Sequence, residues 1–234
     1  VVGANTTLVC NRASYNHRIR IKLDAGTYYA TNLYIPPWVE LEGVSEDRTI
    51  IVDEDNTGTL PCLQAHWSCK FKNLAVQSNN SGYCIHSDLS QSAHIERARI
   101  DQLVKNVTLI GGTSQAGWLW GCGTPAGVHI RFEGVTCKHL KKPDGNLVAG
   151  FGFHNTENAT TPAIVELIGC ASNDVSQYNV TFSSIYNHPC IAYIEDCDFH
   201  LVYYTRSLEY FTDTARDMVA WDIRGNYGGA IRYD

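Results

Sequence analysis

The chain has 234 residues, of which 44% are hydrophobic and 18% charged, and its formal net charge is −6. An acidic chain lacks the basic face needed to hold nucleic acid or an anionic membrane, and no apolar run is long enough to cross a bilayer. We therefore expect neither nucleic-acid binding nor membrane insertion, and a neutral or polyhydroxyl partner fits the composition better.

The predicted strands begin at residue 19, after a lead-in segment of residues 1–18. Residues 19–55 contain, in order, a short strand, A-G-T-Y, L-Y-I-P, V-E-L-E-G and T-I-I. This order resembles the opening of pectate-lyase-superfamily and phage tailspike β-helices, and residues 117–139 and 150–174 continue the resemblance. The Q-D-T strand typical of pectin methylesterases is absent, so their chemistry is not expected here.

A six-residue unit repeats along the chain. Its first position and the position two residues earlier are apolar, with polar residues between and after them, which is the alternation of a half-buried strand. The third position mostly holds residue types that tolerate a left-handed backbone, so the unit predicts a strand, a bend and a second strand. The copies are FKNLAV (71–76), IERARI (95–100), FEGVTC (132–137), LIGCAS (167–172), IEDCDF (194–199) and IRGNYG (223–228).

A third short strand follows each copy after a connection of variable length. Three strands per turn predict an all-β, single-stranded, right-handed parallel β-helix of the pectin-lyase-like kind, in one domain spanning residues 1–234. The last repeat has no polar capping element, so we expect a fragment of a longer protein. The third strands, which we call the first sheet, are GYCIHSD (82–88), NVTLIGG (106–112), GFGFHNT (150–156), NVTFSSI (179–185), SLEYFTD (207–213) and GGAIRYD (228–234).

The nine cysteines include no C-x-x-C pair. Cys69, Cys137, Cys170 and Cys197 occupy repeat positions that other copies fill with Leu, Val, Phe or Ile. We therefore expect buried free thiols rather than disulfides or metal ligands.

The first sheet is bordered by the variable connections, which makes its outer surface the expected binding face. His86 and His154 would lie two rungs apart, about 9–10 Å, and could bracket a sugar unit. Asp88 would hold His86 as a general acid or base, so these three residues are the predicted catalytic group. Exposed histidines without a catalytic role are the alternative. The predicted outward column is His86, Ile110, His154, Ser183, Phe211 and Arg232.

Carboxylates form a column on the second sheet, at Glu96, Glu133 and Glu195. Paired carboxylates are what glycoside hydrolysis requires, but Lys72 and Arg131 are interspersed among them. We expect a solvated, charge-balanced face. Acidic residues on the first sheet lie too many rungs apart to share a calcium ion, so we predict no metal site and no cofactor.

Aromatic rings could supply the grip on carbohydrate, because sugar C–H faces stack on them. The glycine-rich loop 111–127 carries Trp118 and Trp120, and another flanking loop carries Tyr203 and Tyr204. Together with Arg232 these are the predicted substrate-binding residues. Covering the sheet, or contacting a neighbouring subunit, is the alternative role.

The resemblance implies a phage tailspike or tail-appendage domain, located in the virion and homotrimeric. Such a domain binds a bacterial surface glycopolymer, either polysaccharide or teichoic acid, with or without depolymerising it. Two alternatives remain open: a secreted bacterial polysaccharide lyase or epimerase, and a purely structural trimeric shaft.

Overall fold

The structure is a computed structural model. The described residues are 13–53, 60–78, 83–87, 101–112, 118–140, 149–155, 160–175, 178–184, 190–199, 201–206, 219–224 and 230–233. The description covers the backbone alone at residues 118, 140, 155, 173–175, 178–179, 183–184, 201–206, 219–224 and 230–233.

The described residues form β-strands and no helix. Alternating burial shows why: in Ala163–Ile168 every second residue is buried, which is the signature of a strand with one face on a core. The strands are β1 Ile19–Lys22, β2 Gly26–Ala30, β3 Leu33–Ile35, β4 Val39–Glu42, β5 Thr49–Asp53, β6 Leu63–Ala65, β7 Lys70–Gln77, β8 Ile85–Ser87, β9 Asp101–Ile110, β10 Trp118–Thr124, β11 His129–Glu133, β12 Thr136–Leu140, β13 Ala149–Asn155, β14 Ala163–Ile168, β15 Ala171–Val175, β16 Tyr178–Ser184, β17 Cys190–Glu195, β18 Leu201–Arg206, β19 Val219–Arg224 and β20 Ala230–Tyr233.

The strands stack into a parallel coil. The first sheet has eight strands in the order β3-β6-β8-β10-β13-β16-β18-β20, and the other twelve form a sheet that bends between the second and third faces. Every pairing of these strands is parallel. We call one turn of the coil a rung; β4, β5 and β6 make one, and β7 with β8 the next. The predicted all-β parallel β-helix is confirmed.

The bend between the second and third faces lies where the six-residue repeat predicts it. The third-position residues take positive φ: 53° at Asn73, 60° at Gly134, 59° at Gly169 and 52° at Asp196. Glycine adopts this conformation freely, and Asn and Asp tolerate it better than other residues. The predicted left-handed bend is therefore confirmed at these four copies.

The copy predicted at 95–100 lies outside the described residues, and β9 holds that place in the stack. Val104 pairs with Phe71 on one side and Phe132 on the other. Asn106, with φ 50°, makes the bend, and its Nδ2 donates to Oδ1 of Asn73 at 3.2 Å. The sequence-based assignment of IERARI to this rung is thus corrected to the segment beginning at Val104.

The interior of the coil is packed with aromatic and aliphatic side chains. Trp120 is fully buried, and its ring meets those of Phe71 and Phe132 edge-on at centroid distances of 5.8 and 5.1 Å. Such edge-to-face pairs add to the free energy gained by burying the rings.

Cysteines fill the gaps in this interior, and the eight described ones are all free and buried. The expectation of buried free thiols is confirmed for these residues. Their thiols donate weakly to backbone carbonyls, as Cys69 does to Ile35 at 3.2 Å. Burial raises the pKa of Cys84 and of Cys190 to about 12.

Two predicted strands of the first sheet are wrong. Residues 106–112 fall in and after β9, which belongs to the twelve-stranded sheet, and β10 takes their place in the first sheet. Residues 207–213 lie outside the described residues, and β18 occupies that rung. Ile110 and Phe211 therefore leave the predicted outward column.

Candidate functional site

One residue per rung of the first sheet falls in the outward register, and Thr181 in this column is fully buried. Connections beside this sheet vary as predicted: residues 36–38 link β3 to β4, whereas residues 88–100 link β8 to β9. Variable connections next to a rigid sheet are the usual setting of a binding site. The register of the pairings gives the column as Tyr34, Gln64, His86, Gly121, Gly152, Thr181, Tyr203 and Arg232.

His86 is held by two neighbours on this surface. Its Nδ1 lies 3.3 Å from Oε1 of Gln64, one rung earlier in the column. An amide oxygen can only accept, so this contact is a hydrogen bond when Nδ1 carries the proton. In that tautomer Nε2 keeps its lone pair. A histidine that acts as a general base accepts the proton at such a nitrogen. Gln64 was not predicted from the sequence, because its importance depends on the stacking of rungs.

The ring of Tyr83 forms the second contact, with its centroid 4.4 Å from that of His86 and the planes tilted by 34°. It also lies over Gly121 on the next rung. A Cβ at Gly121 would come 2.6 Å from Cδ1 of Tyr83 and 3.1 Å from Cδ2 of His86. The missing side chain at Gly121 therefore gives the two rings room to lie side by side.

Tyr34 extends this surface toward the first rung and is 49% exposed. Gln64, Tyr83 and His86 are half-buried. The four side chains present rings and hydrogen-bonding groups over three consecutive rungs. We call Tyr34, Gln64, Tyr83 and His86 the polar-aromatic patch.

His154 does not lie in line with His86, as the sequence predicted. It pairs with Gly123, whereas His86 pairs with Gly121. The backbones of the two histidines are thus separated by two rungs and two residues along the strand, roughly 12 Å. One sugar unit bracketed by both is therefore not supported. Asp88, the predicted partner of His86, lies outside the described residues.

The predicted tryptophan platform is corrected by the structure. Trp118 and Trp120 belong to strand β10 rather than to a loop, and Trp120 is buried in the core, where it cannot meet a substrate. The backbone of Trp118 pairs with that of buried Ala149. Alternation places Trp118 in the inward register shared with Trp120.

The two predicted tyrosines also lie in a strand, β18, rather than in a loop. Tyr203 pairs with Arg232 in the outward column of His86, which agrees with a place on the face. Tyr204 pairs with Phe182, which is buried, so its register is that of the core. Tyr203 thus has the outward register expected of it, and Tyr204 does not.

Two carboxylates of the second sheet, Glu133 and Glu166, are joined to cations, which agrees with the expected charge-balanced face at these positions. Glu133 lies 2.8 Å from Nζ of Lys105, and Glu166 lies 3.1 Å from Arg131. The hydrogen bond from Lys105, followed by that from Arg131, holds the pKa of Glu133 below its ordinary value. Glu96 lies outside the described residues.

Neither a metal site nor a membrane-spanning helix is found among the described residues. In that part of the chain, no three His, Cys, Asp or Glu side chains come together as a metal site would require. The same residues include no helix long and apolar enough to cross a membrane.

Comparison with known proteins identifies the fold class. The chain is similar to a solved structure, pectin methylesterase from carrot, with a TM-score of 0.51 and 10% sequence identity. The alignment covers 96% of this chain and 82% of the carrot protein. No protein-family model and no curated protein matches the chain. At this identity the likeness shows the fold, a right-handed parallel β-helix of the pectin-lyase type, and transfers no chemistry.

Proposed function

We propose that the first-sheet face binds carbohydrate, and that the natural ligand is a bacterial surface glycopolymer recognised by a phage tail protein. The observation that carries the proposal is the polar-aromatic patch. Tyrosine rings stack on sugar C–H faces, while the Gln64 amide and the His86 imidazole exchange hydrogen bonds with hydroxyls. The tail setting is favoured by the resemblance of the opening motifs to tailspike β-helices.

The direction of the patch suits a linear polymer. Its residues follow the axis of the coil, and successive rungs are about 4.8 Å apart. A polysaccharide laid along the axis would meet a new rung with about each sugar unit. Tyr34, at the first rung, and Tyr83, over Gly121, would then contact different sugars of one chain.

His86 gives this face a means of cleaving as well as binding. With Nδ1–H donated to Gln64, Nε2 is the atom that would accept a proton from a sugar or a water and return it to a leaving oxygen. The tilted ring of Tyr83 fixes the plane of the imidazole. Depolymerisation, where it occurs, would thus depend on His86 and be tuned by Gln64.

The test is a panel of capsular polysaccharides and wall teichoic acids. Binding would be followed by calorimetry and chain length by size-exclusion chromatography, with release of unsaturated uronate monitored to detect a lyase. We expect at least one polymer to bind, with loss of affinity in Tyr83→Ala and His86→Ala. His17→Ala, at an exposed histidine away from the sheet, is the matched control. Failure of every polymer in the panel to bind would contradict the proposal.

A trimeric shaft is the second candidate, favoured by exposed apolar side chains near the start of the coil. Tyr29 is 64% exposed, and Val44 and Leu60 are also exposed. Exposed large apolar side chains are common at contacts between subunits. Light scattering would show a trimer if these residues are subunit contacts, and a monomer would contradict the shaft.

A further inference from the structure

Two buried cysteines, Cys170 and Cys197, lie directly above one another at the bends of neighbouring rungs. The pairing of β14 with β17 and the bridge from Ala171 to Asp198 keep one register on both sides of the bend. The two cysteines therefore occupy the same position of consecutive rungs. Stacked strands are about 4.8 Å apart, which lies inside the range of roughly 4.4–6.8 Å between the Cα atoms of a disulfide. The spacing of the backbone thus suits a bond between the two sulfurs.

The sulfur of Cys197 receives hydrogen bonds from Cys170. The backbone N–H of Cys170 donates to Sγ of Cys197 at 3.3 Å, and the thiol of Cys170 donates to the same sulfur. While Cys197 is protonated, its own hydrogen goes to the carbonyl oxygen of Leu167 or of Glu195, at 3.2 and 3.3 Å. The pair is therefore unequal, with Cys170 as the donor and Cys197 as the acceptor.

This inequality separates the acidities of the two thiols. The hydrogen bond from the Cys170 thiol, although opposed by burial, lowers the pKa of Cys197 below its ordinary value. Burial, reinforced by the hydrogen bond to Cys197, raises the pKa of Cys170 well above its ordinary value. Since thiolate is the nucleophilic form, Cys197 is the better nucleophile of the pair.

The cover over the pair is thin. Cys170 and Cys197 are at most 1% exposed, but their chain neighbours at the bends, Gly169 and Asp196, are exposed. A Cβ built on Gly169 would meet no atom of the described residues within 4 Å. Hydrogen peroxide is little larger than water, so it needs a much smaller opening at this bend than a bulky thiol reagent does.

A second stacked pair, Cys62 and Cys84, provides a contrast. The register of β6 with β8 sets these residues one above the other as well. Their thiols, however, donate to different backbone carbonyls, that of Ala30 at 3.7 Å and that of Ile110 at 3.3 Å. Burial raises the pKa of both thiols. Stacking alone therefore does not make a reactive pair, and a thiol-to-thiol hydrogen bond distinguishes Cys170 and Cys197.

We propose that Cys170 and Cys197 are a site of reversible oxidation, at which a small hydroperoxide forms a disulfide that joins two neighbouring rungs. Cys197 is the sulfur that meets the peroxide, and Cys170 is the sulfur that closes the bond. The link would tie the rung of β14 to the rung of β17 at the bend between the second and third faces.

The reaction proceeds in two steps. The thiolate of Cys197 attacks one oxygen of hydrogen peroxide and the O–O bond breaks. The departing hydroxide takes up the proton that Cys197 has lost, which leaves water and a sulfenic acid on Cys197. Sγ of Cys170 then attacks the Cys197 sulfur, the S–O bond breaks, and the hydroxide leaves with the Cys170 proton as a second water. The two sulfurs lose two electrons and the peroxide gains them, and a dithiol reductant restores both thiols by exchange.

Peptide mapping of the native protein tests the site. After treatment with hydrogen peroxide and digestion between the cysteines, mass spectrometry should find the peptides of Cys170 and Cys197 joined, and dithiothreitol should separate them. The oxidised protein should melt about 5–10 °C higher than the reduced protein, since the bond restrains the unfolded chain. Cys62 and Cys84 should stay reduced under the same treatment. Two free thiols at Cys170 and Cys197, or equal oxidation of Cys62 with Cys84, would overturn the proposal.

Single variants test the two roles. Cys170→Ser should stop at the sulfenic acid, which dimedone traps on Cys197, whereas Cys197→Ser should give no dimedone adduct at Cys170. Cys190→Ser, at another buried thiol of β17, is the matched control and should still form the disulfide. An adduct on Cys170 in Cys197→Ser would contradict the assigned roles. If a variant does not fold, the peptide map of the unmodified protein decides the question.

Discussion

The ring of Tyr83 occupies the space that a side chain at Gly121 would take, so the first-sheet face accepts this tyrosine only because the next rung carries glycine. If the first-sheet face binds a glycan as proposed, Gly121→Ala should displace the ring and raise the Kd for that glycan about tenfold, as expected for one lost aromatic contact of about 1.4 kcal/mol. Calorimetric titration of the purified variant measures the change.

A double variant shows whether Gly121 acts through Tyr83. In Tyr83→Ala the ring is already gone, so adding Gly121→Ala should change the Kd no further. Tyr83→Phe keeps the ring and should bind nearly as well as the unmodified protein. Additive losses in the double variant would mean that Gly121 affects binding by some other route.

The contact between Gln64 and His86 predicts separate effects on binding and turnover. For a polymer that the protein shortens, His86→Ala should lower kcat by about 100-fold or more, the range of a lost general acid or base. Gln64→Leu should lower kcat by less, through the orientation of the imidazole, and should also raise KM, because its amide bonds to sugar hydroxyls. Steady-state kinetics check both, and an unchanged kcat in His86→Ala would exclude its catalytic role.

The side-chain bond between Asn106 and Asn73 predicts a graded loss of stability at the bend. Asn106→Ala places an unsuitable residue at φ 50° and removes the hydrogen bond, so its free energy of unfolding should fall by about 2 kcal/mol. Asn106→Gly loses the bond but relieves the backbone, so it should cost about half as much. Urea denaturation distinguishes them, and equal costs would argue against backbone strain at this position.

The ion pairs of Glu133 predict a stability term that depends on pH. Because the folded state lowers its pKa, the term is fully present above the ordinary glutamate pKa, about 4.3, and is lost as pH falls through the lower, folded-state pKa. Glu133→Gln should therefore reduce the free energy of unfolding at pH 7, by under about 1 kcal/mol for so exposed a pair. Below both pKa values the variant and the parent should converge. A difference that grows on acidification would contradict the ion-pair account.

The buried thiols predict a chain that resists alkylation while folded. Only thiolate reacts, and burial raises the pKa of Cys84 and Cys190 to about 12 and that of Cys137 well above its ordinary value. Because Cys10 lies outside the described residues, the test uses Cys10→Ser. We expect no fast reaction with Ellman's reagent at pH 8 and eight thiols after unfolding, the number of described free cysteines. Rapid native reaction would indicate an open coil.

The fold was predictable because each rung repeats the same local chemistry: alternating burial, then a residue that tolerates a left-handed bend. Alternation alone could not choose between two segments for the rung after Phe71. Apolar and polar residues alternate both in IERARI and in the segment from Val104, and the structure places Val104 there. A second signal was present in the sequence, because F-K-N-L at Phe71 and V-K-N-V at Val104 share the bend asparagine. In the structure the two asparagines lie on neighbouring rungs and their side chains are hydrogen-bonded.

The candidate site was less predictable, for a reason that lies in the period of a strand. A shift of two residues along a strand leaves inward and outward positions unchanged. Alternation therefore could not distinguish the predicted register, in which His154 aligns with His86, from the observed register, in which His154 pairs with Gly123. The glycines after Trp120 suggest a loop. In the structure, however, Gly121 is part of strand β10, and its missing side chain makes room for the ring of Tyr83. That contact joins segments far apart in sequence and becomes visible only when the rungs are stacked.

The most direct test of the central claim is a crystal structure of the protein with an oligosaccharide from a polymer that it binds. The account predicts a sugar chain along the axis of the coil, over Tyr34, Gln64 and His86, with one unit stacked on Tyr83. A glycan seated on the charged second sheet, or at a site that leaves these four residues untouched, would contradict it.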